Sequence, residues 1–243
     1  MIPKIAFITG ASRGIGAAIA EQLAAEGYHL AINGRDEERL CQKADQISET
    51  YHIACAPFAG DISDEGFVKQ TFSEIEKKLG AVDVLINNAG ISHIGLLSDM
   101  TLEDWNRIIN TNLTSIFLCC KYAVPRMLQK KSGKIINISS VWGNTGASCE
   151  VAYSASKGGV NAFTRALGKE LAPSNIQVNA LACGTIDTDM NGCFSAEERK
   201  ELEEEIPCGR YGSPKEAAEM VSSIIKAPAY FTGQIVTMDG GWI

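Results

Sequence analysis

The sequence has no excess of positive charge, no long hydrophobic run and almost no histidine. Lysine and arginine total 22 against 29 aspartates and glutamates, a formal net charge of −7. A nucleic-acid-binding face needs the opposite balance, so no nucleic-acid partner is expected. No apolar stretch approaches the ~20 residues of a membrane-spanning helix, so no membrane partner is expected either. Met1-Ile2-Pro3-Lys4 leads straight into a strand pattern with no secretory leader, which predicts a cytoplasmic protein. There are three histidines, and the eight cysteines (41, 55, 119, 120, 149, 183, 193 and 208) form no C-x-x-C pair. That scatter predicts free, mostly buried thiols and no metal site. The 45% hydrophobic content and mean hydropathy of −0.01 are ordinary for one well-packed domain.

What is present is an alternation of strand-like and helix-like segments from end to end. Strand patterns fall at Lys4–Thr9, Tyr28–Asn33, His52–Phe58, Val82–Asn87, Lys134–Ser139, Ile176–Ala182 and Gln234–Met238. Between them, helical spacing marks Gly14–Glu26, Asp36–Thr50, Asp64–Leu79, Tyr153–Leu171 and Lys215–Ile225. A long helical stretch starts at Thr101, with Asp104 at capping-box spacing, and runs towards Lys131 with Pro125 as its expected irregularity. Strands alternating with helices predict an α/β fold whose parallel sheet is covered on both faces and doubly wound. Nothing divides the chain, so residues 1–243 read as one domain.

In "ITGASRGIGAAIAEQLAAEG", Gly10, Gly14 and Gly16 lie where the first strand turns into the first helix. A helix N-terminus offers unpaired N–H groups and a positive dipole end to an anion such as pyrophosphate. Glycines remove the Cβ atoms that would hold backbone or ligand away. Tyr153 and Lys157, at i and i+4, share one helix face in the small-residue setting "AYSASKGGVNAF". A phenol titrates near pH ~10, and an adjacent ammonium lowers it by roughly 1–3 units, towards the neutral range where proton transfer is most effective.

Taken in order, the motifs resemble those of the short-chain dehydrogenase/reductase family. T-G-x-x-x-G-x-G spans Thr9 to Gly16, N-N-A-G spans Asn87 to Gly90, and Y-x-x-x-K spans Tyr153 to Lys157. Asn112 stands in "NTNLTSIF", Ser140 lies thirteen residues before the tyrosine, and the chain closes on "FTGQIVTMDGGW". The resemblance implies a single-domain doubly wound Rossmann fold with a seven-stranded, mainly parallel sheet. It also implies a catalytic group of Asn112, Ser140, Tyr153 and Lys157. Tyr153 is then the acid in reduction and Lys157 the group that tunes it and holds the nicotinamide ribose. Ser140 is the donor to the carbonyl oxygen, and Asn112 holds a water that links Lys157 to solvent. As a helix asparagine, Asn112 has a backbone contact as its other reading.

The same resemblance assigns cofactor contacts to Gly10, Ser12, Arg13, Gly14, Ile15 and Gly16. It adds Arg35, Asp61, Ile62, Asn88, Ala89, Gly90, Gly184, Ile186 and Thr188, beside Tyr153 and Lys157. The end of the second strand reads "AINGRDEERL", with Gly34 where NAD-binding sheets place an acid against the ribose 2′-hydroxyl. Arg35 and Arg13 are cations suited to a 2′-phosphate, so the expected cofactor is NADP(H) and the expected direction reduction. Cys183 stands where the family has proline, before Gly184. Its loss removes a fixed φ, and the thiol is expected to be buried and inert.

Residues at about 188–212 should form a lid over the substrate, with the acidic run Glu197–Glu205 as its solvated face. The chain looks most like the 3-oxoacyl-[acyl-carrier-protein] reductase branch, which implies a carrier-linked ketone and a homotetramer. Lys130, Lys131, Lys134, Arg126 and Arg165 are candidates for a basic face that docks the acidic carrier. The region "SSVWGNTGASCEVAYSASKGG" also resembles reductases of elongation factor P carrying a 5-aminopentanone group. Ser140, Glu150 and Tyr153 are the substrate candidates. Glu150 either attracts a substrate amine or complements the helix dipole. A non-catalytic NADP(H)-sensing protein is the alternative from another class.

Overall fold

A computed structural model describes residues 3–192 and 194–243; Cys193, one of the eight cysteines and part of the expected lid, lies outside them. Short apolar runs build seven strands: β1 (Ile5–Ile8), β2 (His29–Gly34), β3 (Cys55–Ala59), β4 (Val84–Asn87), β5 (Gly133–Ser140), β6 (Ile176–Cys183) and β7 (Ile235–Met238). They form one sheet in the order β3-β2-β1-β4-β5-β6-β7. Every pairing is parallel, including the last, Ala180 with Ile235 to Cys183 with Met238. The expected "mainly parallel" sheet is therefore wholly parallel.

Successive strand residues alternate faces, and both faces are apolar. Ile8, Ile32, Ile86, Ile136 and Leu181 pack beneath α1 (Gly14–Ala25), α2 (Glu37–Tyr51) and α9 (Pro214–Lys226). Phe7, Ala31, Leu85, Ile135 and Val178 pack beneath α3 (Glu65–Lys78), α5 (Ser115–Lys130) and α7 (Val151–Leu171). Double-sided burial is what continuous apolar strands require. On the first face Ser222 of α9 donates to Glu26 just past α1 (2.5 Å), and Lys226 reaches the same carboxylate (2.9 Å).

The long helical stretch differs from its sequence pattern. It divides into α4 (Leu102–Ile109), a π-helical turn (Asn110–Thr114) and α5. Pro125 sits inside α5 without ending it; the irregularity is at Asn112 instead. A short α6 (Trp142–Thr145) follows β5, and α8 (Ala196–Glu205) carries the acidic lid run. Ser195 and Ser213 open α8 and α9 with reciprocal capping boxes to Glu198 and Glu216. Among the described residues no helix is long and apolar enough to cross a membrane.

β1 and β4 are neighbours, although the chain winds away from β1 in opposite directions on its two sides. Ligands of such sheets bind in the crevice above that reversal, at the carboxyl ends of the strands.

Candidate active site

The glycine loop lines one side of this crevice. Gly10 adopts φ +64°, and Ala11 N–H donates to the Asn33 carbonyl (2.8 Å), tying the loop to the end of β2. A Cβ on Gly16 would lie 2.3 Å from the Gly10 carbonyl oxygen, and one on Gly10 2.9 Å from Ala89 Cα. The loop thus closes tightly over β4. Arg13 starts α1 without a side-chain cap, and no acid stands in the helix's first turn. Those N–H groups are open to an anionic ligand, which fits a dinucleotide pyrophosphate.

Asn88 and Thr9 hold the loop in this shape. Asn88 Nδ2 donates to the carbonyls of Thr9 (2.9 Å) and Gly10 (3.0 Å), while Thr9 Oγ1 accepts from the Asn88 and Ala89 N–H groups, both at 3.0 Å. Thr9 belongs to the sequence motif, yet its bracing role was not legible there, because a strand-end threonine carries no signal of its partner.

One open cleft is lined by Gly10, Ser12, Arg13, Gly14 and Ile15 from this loop, and by Gly34, Arg35, Asp61 and Ile62 at the far side. Asn88, Ala89, Gly90, Gly184, Ile186 and Thr188 continue the lining towards Ser140, Tyr153 and Lys157. Gly16 and Asn112, both expected at the site, stand behind this surface and support it. Asp61 accepts from Ser63 N–H (2.8 Å) and Oγ–H (2.7 Å), which fixes its loop. Asp36 caps α2 by accepting from Arg39 N–H (3.0 Å), so it is engaged with the helix rather than standing at the Gly34 position. Arg39 is a further cation at this end that no sequence motif marks. Its guanidinium lies 3.8 Å from Asp189, which Arg13 also binds at 2.7 Å.

At the other end, Ser140 terminates β5 and Tyr153 and Lys157 project from the first turns of α7. Lys157 is 4% exposed; its ammonium donates to the Ile138 carbonyl (2.8 Å) and sits 5.6 Å from the Tyr153 ring centre. Burial lowers the Lys157 ammonium to about 8. Burial also drives the Tyr153 phenol well above its ordinary value; the Ser140 hydrogen bond pulls it back in part and Glu150 adds to the rise. Burial thus opposes the expected acidification of the phenol by Lys157, and it destabilises the ammonium's own proton.

Asn112 is fully buried in the π turn. Its Oδ1 accepts from Ile91 N–H (2.8 Å), and its Nδ2 donates to the Ile91 carbonyl (2.9 Å) and Ser156 Oγ (3.0 Å). The side chain thus braces the loop after β4 against α7, the second of its two readings. Glu150 precedes α7 but makes no side-chain cap; its carboxylate accepts from Ser92 Oγ (2.6 Å) and lines the cleft beside Tyr153. Cys183 is buried near Lys157 with its thiol pushed up to about 12 by burial, an unreactive state.

The substrate side continues under the lid. Trp142 and Trp242 meet edge to face there (5.0 Å), and Glu150, Glu198, Glu201 and Glu205 line the space around them. Part of the expected basic face stands away from Ser140. Lys130 and Lys134 lie at the amino end of β5, an eight-residue strand of roughly 25 Å whose other end carries Ser140. Lys130 pairs with Asp83, Arg126 with Glu76 (2.5 Å), and Lys134 donates to the Ala227 carbonyl (3.1 Å).

A family model for short chain dehydrogenases matches residues 4–199. The chain is 40% identical to the 3-oxoacyl-[acyl-carrier-protein] reductase FabG of Aquifex aeolicus, across 98% of this chain and 96% of that protein. It is 38% identical to the uncharacterized oxidoreductase YmfI of Bacillus subtilis, across 98% of both. Its structure superposes on that of a single-residue variant of actinorhodin polyketide ketoreductase with NADPH at a TM-score of 0.93, with 34% identity over 99% of this chain and 97% of that one.

Proposed function

Because the chain belongs to the short-chain dehydrogenase family, we propose that this oxidoreductase reduces a ketone carbonyl with NADPH, most simply the carbonyl of a 3-oxoacyl thioester. The observation that carries this reading is the Ser140–Tyr153–Lys157 group lining the cleft, in a buried setting that favours the protonated phenol. The cofactor, when bound, would supply a hydride to the carbonyl carbon. The chain's own residues serve the oxygen: Ser140 Oγ–H donates to it and orients it, and Tyr153 O–H protonates it as negative charge develops. Lys157, buried and close to neutral titration, is suited to restore the phenol proton and to donate to ribose hydroxyls. A sensor that only bound the nucleotide would need none of this proton chemistry.

NADPH over NADH is supported by Gly34 at the end of β2, by Asp36 being spent on a helix cap, and by Arg13, Arg35 and Arg39 nearby. Thioesters are supported by the relatives' names, and with them an acyl carrier protein as partner. A second reading, a ketone bearing a cationic amine of the protein-linked 5-aminopentanone kind, is favoured by the acidic, tryptophan-containing substrate side, whose described lining includes no lysine or arginine. A homotetramer, which the family resemblance implies, is supported by exposed Phe117 and Leu128 on α5 and Tyr230 before β7. A cytoplasmic setting is supported by the unpaired buried thiols Cys119, Cys120 and Cys183.

A panel of acetoacetyl thioesters, aminoketones and their uncharged isosteres, each with NADPH and NADH, tests the proposal. Thioester reduction at least about tenfold faster with NADPH supports it. Preference for the aminoketone over its neutral isostere, lost in Glu150→Gln, selects the second reading. No ketone reduced with either cofactor contradicts both.

A further inference from the structure

Asp189 opens the short turn Asp189–Asn191 at the start of the lid, one residue after Thr188. Its carboxylate does not face solvent alone. Oδ2 accepts from Arg13 Nη1 of the glycine loop at 2.7 Å, and Arg39 Nη2 of α2 stands 3.8 Å from the same oxygen. Arg13 holds the Asp189 carboxyl below the usual carboxylate range, with Arg39 adding to the effect. Arg13, Arg35 and Asp189 line the same cleft as Gly34, beside which an NADPH 2′-phosphate would sit on the reading above.

Two guanidinium groups from separate elements thus converge on one carboxylate. A carboxylate and a phosphate ask the same things of arginine, namely charge and paired N–H donors. We infer that Asp189 is a specificity-determining residue: it is an internal anion that occupies Arg13 and Arg39 and competes with the cofactor's 2′-phosphate for them. The inference rests on the NADP(H) reading of the site. Two consequences follow from the geometry. The carboxylate lowers affinity for the phosphorylated nucleotide while leaving the unphosphorylated one nearly untouched. Binding of the phosphate also frees the first turn of the lid, Asp189–Asn191, from the glycine loop, so nucleotide and lid are linked through one ion pair.

The competition is modest in size. The side chains of Arg13, Arg39 and Asp189 are 55%, 50% and 56% exposed, so water and salt screen the pair. An effect of roughly 3- to 10-fold on phosphate-dependent affinity is the appropriate scale, at the order of one exposed charge-assisted contact.

Calorimetric dissociation constants for 2′,5′-ADP and 5′-AMP, with wild type, Asp189→Asn and Arg39→Gln, test it without turnover. Wild type should prefer 2′,5′-ADP; if it binds both alike, the NADP(H) reading falls. Given that preference, Asp189→Asn should bind 2′,5′-ADP about 3- to 10-fold tighter with 5′-AMP changed less than about twofold, and Arg39→Gln should narrow the wild-type preference. Unchanged or equally shifted constants in Asp189→Asn, with the wild-type preference intact, overturn the competition and leave a solvated surface bridge.

Discussion

At the residue scale, the chemistry depends on protonation states that burial sets. Tyr153 and Lys157 were legible as a pair, because an i, i+4 spacing fixes a shared helix face. Their states were not, since desolvation depends on what the fold stacks around them. The outcome suits reduction: the phenol keeps its proton while the ammonium is held near 8. A lysine lowered in the native state binds fewer protons than in the unfolded chain once pH rises above 8, so native stability rises with pH there, by about 1.4 kcal/mol per unit at most. Buried thiols such as Cys183, raised to about 12, act in the opposite sense from about pH 9 upward, which bounds the window. Urea unfolding without nucleotide at pH 8 and 9 should therefore show wild type gaining about 1 kcal/mol relative to Lys157→Met. Parallel profiles would mean that Lys157 is not depressed.

At the element scale, the sequence carried the strands and most helices to within a few residues, because apolar periodicity is a direct consequence of which faces are buried. It did not carry the π turn at Asn110–Thr114. A single extra residue in a helical turn leaves the hydrophobic pattern of its neighbours almost intact, and Pro125 drew attention to the wrong place. The turn presents Asn112 to Ile91 and Ser156, and through them steadies both the loop after β4 and the helix that carries Tyr153. Asn112→Ala would leave the Ile91 N–H and carbonyl without their side-chain partners. A loss of about 1–3 kcal/mol in unfolding free energy is expected, with a fall in kcat. A change below about 0.5 kcal/mol in the urea midpoint analysis would contradict the bracing role.

At the scale of the whole molecule, a wholly parallel sheet gathers every functional loop at one end. That is why motifs more than a hundred residues apart, from Gly10 to Thr188, line one cleft. Motif order revealed this much, but not which end of the sheet the surface charges occupy. Lys130 and Lys134 stand at the far end, whereas Glu198, Glu201 and Glu205 of α8 overhang the substrate side with Glu150, so carboxylates face an entering substrate. The fold was readable from periodicity; the substrate depends on this charge distribution, which only the folded chain displays. On the proposed function one transfer is central: hydride from a bound nucleotide to a ketone carbon, with the oxygen protonated by Tyr153. The direct measurement is a single-turnover reaction with NADPH deuterated at its transferring position, in wild type and Tyr153→Phe. Wild type should place deuterium on the carbinol carbon, while the variant binds the nucleotide normally and slows transfer by about 10²- to 10⁴-fold. Transfer at an undiminished rate in Tyr153→Phe, or no deuterium on the product of wild type, would contradict it.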